Sequence, residues 1–88
     1  MEKNPVRIVV LQRGWIVVGL YSEVGNEIVV TSASIIRRWG TTRGLGELAD
    51  SGPLKQTILD KAGTVRAHKL TVVLTLDCEA LKWISVLP

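Results

Sequence analysis

Phenylalanine is absent from this 88-residue chain, and cysteine, methionine, histidine and tyrosine occur once each. With aromatics at 5% of positions, the apolar volume falls to Val, Ile and Leu, a vocabulary that suits pleated strands. A lone Cys78 excludes a disulfide framework and cysteine-rich zinc spacing, and reads as a buried or inert thiol. No apolar run approaches the roughly 18 residues of a membrane span, so no membrane partner is expected. One thiol and no signal-peptide pattern point to the reducing cytoplasm. His68 has no serine, cysteine or second acid tied to it by a motif, so it reads as a strand-surface residue at a bulge. Asp77 and Glu79 flank Cys78 without histidines, a poor metal set. We therefore expect no catalytic residues, no metal and no cofactor.

What is present fits one domain over residues 1–88. A chain this short buries only roughly 60–65% of the surface its unfolded form exposes. Yet 47% of its residues are apolar, so burial against other copies is the expected supplement, and the chain reads as a homo-oligomer. The net charge of +3 favours anionic partners but is too small to demand bulk nucleic acid.

Residues 6–11 (VRIVVL), 15–21 (WIVVGLY) and 27–32 (EIVVTS) read as strands. Arg13-Gly14 and the 22–26 segment (SEVGN) supply the turns of a meander. Gly19 inside the second strand predicts a bulge or a close backbone approach. Both faces of the first two strands are largely apolar, so the sheet either curls or packs on another copy. Residues 64–76 form the longest strand candidate, preceded by a short one at 57–59 and a turn at Ala62-Gly63. Its apolar parity switches near His68-Lys69, which predicts a bulge. Residues 80–87 (ALKWISVL) read as the last strand, with Trp83 as a subunit contact and Trp15 as a core or interface anchor. The fold class is mainly β with one short helix: a small twisted antiparallel sheet or partly open barrel of about five strands.

Residues 33–53 (ASIIRRWGTTRGLGELADSGP) break that pattern. Ile35, Ile36 and Trp39 predict a helical turn or tight bend. Leu45, Leu48 and Ala49 make an apolar stripe at i, i+3, i+4, so residues 44–51 read as a helix stopped by Gly52-Pro53. This insert holds three of the six arginines and one of the three tryptophans. Guanidinium binds phosphate bidentately and stays charged at any relevant pH. An indole face stacks a nucleobase, and unpaired backbone N–H groups near a helix start seat phosphate. The candidate ligand-binding residues are Arg37, Arg38, Trp39, Thr41, Thr42, Arg43 and Gly44: arginines for phosphates, Trp39 for a base, threonines as hydrogen-bond donors, glycine for close approach. Glu47 falls where it competes for the phosphate seat. Arg7 and Arg13 flank the first strand as candidates for a shared pocket.

The segment Gly25–Glu27 with Thr31, Ala33 and Trp39, followed by Leu45, Leu48, Ala49 and Gly52, resembles a family of small bacteriophage proteins that carry a domain of unknown function. The resemblance spans roughly residues 6 to 88. Looser analogy with phage sponge proteins implies sequestration, without cleavage, of a cyclic oligonucleotide or related nucleotide-derived immune signal (an anti-CBASS role) in the host cytoplasm. The rival expectations are a small single-stranded nucleic-acid-binding β domain and a structural or host-protein-binding module.

Overall fold

The computed structural model describes residues 4–88. Five antiparallel strands form one open sheet: β1 Val6–Leu11, β2 Ile16–Val24, β3 Glu27–Arg38, β4 Ile58–His68 and β5 Val72–Asp77, in the order β4-β3-β2-β1-β5. A seven-residue helix, α1 (Leu45–Ser51), lies between β3 and β4, and a single turn of helix, α2 (Ala80–Trp83), follows β5. The mainly β class expected from the composition is the class observed.

Both sheet faces are apolar, and the two are covered differently. On one face Val6, Ile8, Val18 and Ile36 pack under Leu48 and Ala49 of α1 and Trp83 of α2. On the other, Val9, Val17, Ile28, Val30 and Ala33 cluster with Val65 and Ala67 of β4 and Val72 of β5. β4 and β5 are opposite edges of the sheet, so this second cluster forms because the sheet curls over itself. The curl has visible causes. β3 shifts register between Val30 and Ala33, where Ser32 takes φ 49°, and β2 shifts between Val18 and Leu20. Extra residues at such bulges bend a strand and increase its twist. Gly19 sits at the second of these; a Cβ there would lie 2.7 Å from the Thr31 carbonyl oxygen and from Val30 Cγ1. The predicted bulge and the predicted close approach are thus one feature.

The structure corrects three elements. β3 does not end at Ser32 but runs on through the bulge to Arg38, so Ile35 and Ile36 are strand residues. The long strand expected over 64–76 is two strands. β4 begins at Ile58 and passes through Gly63, and a 3-10 turn, Lys69–Thr71, then carries the chain from one sheet edge to the other. The parity switch at His68-Lys69 marked that crossing, and His68 Nδ1 caps it by accepting the Leu70 N–H at 3.1 Å. Residues 80–87 are not a strand. Trp83 ends α2, is fully buried and donates its indole N–H to the Ala49 carbonyl at 3.1 Å. It is a core residue within one chain and not an outward subunit contact.

Candidate functional site

β1 ends at Leu11 and β2 starts at Ile16, joined by the 3-10 turn Gln12–Gly14. Val17 pairs with Ile35 of β3. β2 and β3 are antiparallel, so the turn before β2 and the C-terminal end of β3 lie at the same end of the sheet. One end of the curled sheet therefore carries Arg13 and Trp15 from the first turn, and Arg37, Arg38 and Trp39 from the end of β3. Trp15 is 56% exposed and Trp39 41% exposed. Trp39 is thus partly open, and Trp15 is neither core nor sealed anchor. The sequence reading set Arg13 in a shared pocket with Arg7 and Trp15 in the core or an interface, and did not join either to this group. The signal for them was the Arg13-Gly14 turn directly before the indole, with φ 68° at Arg13 and φ 81° at Gly14.

The arginines are not equivalent. Arg37 Nε donates to Asp60 Oδ2 at 2.8 Å, and this bond raises its already high pKa further. Asp60 stands opposite Ile35 in the β3–β4 ladder, so the pair is built into the register. Among the described residues Arg38 and Arg13 have no ion-pair partner. Arg43 lies in the loop beyond, 81% exposed at its side chain, with Nε 3.8 Å from Glu47 Oε1.

After Trp39 the chain reverses. Gly40 has φ 69°, and a Cβ there would lie 2.5 Å from the Gln56 and Thr57 backbone. Only glycine lets the two segments touch, and the contact is pinned by Thr57 Oγ1 donating to the Trp39 carbonyl at 2.7 Å. The Thr41 hydroxyl accepts the Gly44 N–H at 3.1 Å and donates to the Gly44 carbonyl at 3.0 Å. Glu47 Oε1 accepts the backbone N–H of Thr42 at 3.2 Å and of Arg43 at 2.9 Å. Of the expected phosphate seat near residues 44–46, the Gly44 N–H is taken by Thr41, and the protein's own Glu47 carboxylate holds the two amides just before it. Thr41 and Thr42 shape the loop, and the groups left facing solvent are the Arg13, Arg38 and Arg43 guanidiniums and the two indoles.

Arg7 does not join this rim. Its guanidinium carbon lies 4.8 Å from the centre of the Tyr21 ring and its Nε donates to Asp77 at 3.1 Å, toward the other end of β1. Burial, with help from Glu23, raises the Tyr21 pKa. The hydrogen bonds from Tyr21 and Lys69 lower that of Glu23. Cys78, half-buried, has its thiol pushed up to about 12, chiefly by burial, which disfavours the thiolate. Also at that end, Pro5, Val6, Leu20, Leu81 and Ile84 line an open, mostly apolar groove of about 710 Å³. Among the described residues no three His, Cys, Asp or Glu side chains converge in a metal-type cluster. Comparison with protein-family models, with curated proteins and with solved structures finds no match to this chain.

Proposed function

We propose that the protein is a non-catalytic binding module for a phosphorylated, base-bearing ligand, engaged at the rim formed by Arg13, Trp15, Arg38, Trp39 and Arg43. The observation that supports this reading is that two exposed indoles fall at the same sheet end as Arg13 and Arg38, which have no ion-pair partner among the described residues. An exposed indole offers a face for a base, and a guanidinium without a carboxylate partner is suited to phosphate. Stacking a base on an indole contributes roughly 1–3 kcal/mol and tolerates any base. Arg37 takes a lesser part, because Asp60 already neutralises it, and the amides of Thr42 and Arg43 are held by Glu47.

The ligand we infer first is a cyclic oligonucleotide or related nucleotide signal, bound and withheld without cleavage in the manner of a phage anti-defence sponge. A second reading is favoured by one feature. The cations and indoles come from the β1–β2 turn, the end of β3 and the loop after it, an arrangement that suits an extended single strand as well as a small ring. Calorimetric titration with cyclic di- and trinucleotides, and with oligonucleotides of increasing length at two salt concentrations, separates them. A sponge saturates at fixed stoichiometry with a small ligand. A strand binder gains affinity with length and loses it steeply with salt. Arg38→Ala and Trp39→Ala should each abolish most binding. No heat from either ligand class would remove both readings and leave a structural or protein-binding module.

A further inference from the structure

The sheet has two free edges, and they are not alike. Edge strands expose unpaired N–H and C=O groups, and proteins guard them with charge. β4 is guarded: Asp60, Lys61 and Arg66 lie along it, with His68 at its end and Lys69 just beyond. β5 (VVLTLD) has no charge before its last residue, and Val73 and Leu74 are 59% and 49% exposed. The backbone direction follows from the ladder. Cys78 N–H donates to the Val6 carbonyl. By antiparallel alternation Leu76 and Leu74 then bond to β1, while Thr75 and Asp77 turn their amides and carbonyls outward; Val73 is the extra residue of a register shift and has no partner on β1.

We propose that two copies of this chain associate through β5, strand against antiparallel strand, about a two-fold axis at Thr75. This register sets Thr75 opposite Thr75 of the second copy, Leu74 beside Leu76, and Val73 across from Asp77. No like charges meet, the exposed Leu74 is covered, and a Thr–Thr cross-strand pair is among the favourable ones. The same contact is isologous and closes on itself, so it stops at a dimer with a continuous ten-stranded sheet. Because the paired strands run in opposite directions, the two basic rims fall at opposite ends of the dimer. Each copy carries its own rim, and the pairing does not rest on the ligand proposed above.

Thr75 is exposed and its N–H is not used within the chain, so its side chain can be changed without touching the β1–β5 ladder. Sedimentation equilibrium across a concentration series should give a dimer for the wild type. Thr75→Lys and Thr75→Glu should each give a monomer with the native urea midpoint of an isolated folded chain, because each sets two like charges face to face. An equimolar mixture of the two variants should return to a dimer. A wild-type monomer, a species larger than two (which would mean β5 pairing with β4 of the next copy), a Thr75→Lys dimer, or a mixture that stays monomeric would each overturn the proposal.

Discussion

At the Val6 end of β1, Trp83 is fully buried and its indole N–H is bonded to the backbone of α1; at the Leu11 end, Trp15 and Trp39 stand 56% and 41% exposed among arginines. The same residue type serves as a core pin at one end and stands open to solvent at the other. What differs is what the chain brings above each indole. Trp83 is met by Leu48 and Ala49, apolar residues of a helix stopped at Gly52, whose N–H donates to the Leu48 carbonyl at 3.0 Å. Trp39 stands over the loop at Gly44, where an added Cβ would lie 4.0 Å from the ring, and 41% of the residue stays exposed.

The contrast is sharpest in a pair of substitutions. Trp83→Ala should cost about 3–5 kcal/mol, a large part of the stability of so small a domain, and be read as a collapse of the urea midpoint. Trp39→Ala should change that midpoint by under about 1 kcal/mol yet remove nucleotide binding. If the two midpoints fall alike, Trp39 is a core residue and the rim loses its role. Gly40→Ala tests the loop that presents the rim. Its positive φ and the 2.5 Å approach to Gln56 and Thr57 leave no room for a methyl group, so it should cost more than about 1 kcal/mol and blunt binding as well.

Glu47→Ala acts on the boundary between core and rim. It removes the acceptor for two loop amides and should destabilise by about 1 kcal/mol, as loss of a capping acceptor does. It also frees those amides. The Thr42 and Arg43 N–H resonances should then shift on adding inorganic phosphate, and should not shift in the wild type. The narrowest effect belongs to Cys78, at the buried end, and is confined to alkaline pH. Its folded pKa, about 12, lies above the ordinary 9.0, so the folded chain keeps a proton that the unfolded chain releases. Its contribution is complete below pH 9.0 and is lost as pH rises from there toward about 12. Cys78→Ala should flatten the fall in urea midpoint across that window while leaving rim binding unchanged.

Much of the fold was legible in the residues. The Val/Ile runs marked β1, β2 and the start of β3, the Leu45/Leu48/Ala49 stripe marked α1, and Gly52-Pro53 marked its end, because each is a local pattern with a local cause. The misread segments were those in which a distant partner decides. ALKWISVL has enough apolar residues for a strand, but burial of Trp83 against α1, with its indole N–H on the Ala49 carbonyl, holds the segment helical over the face beside α1. The Ile35–Ile36 pair looked like a bend and is strand, because β2 and β4 pair with it on both sides. Of the candidate site, Arg38, Trp39 and Arg43 emerge as exposed groups, while Arg37 and the loop amides turn out to be engaged by Asp60 and Glu47. Arg13 and Trp15 joined them only through the β2–β3 register.

The order of residues alone determined that this chain makes strands with two greasy faces, one short helix with a firm stop, and an unpaired thiol. Those follow from side-chain period, turn chemistry and composition, which act within a few residues. Which tryptophan is covered, which arginine is neutralised, how the sheet rolls and which of its borders stays bare were settled by pairing between segments far apart along the backbone. Burial and ion pairing depend on what arrives from elsewhere, and no local pattern carries that information.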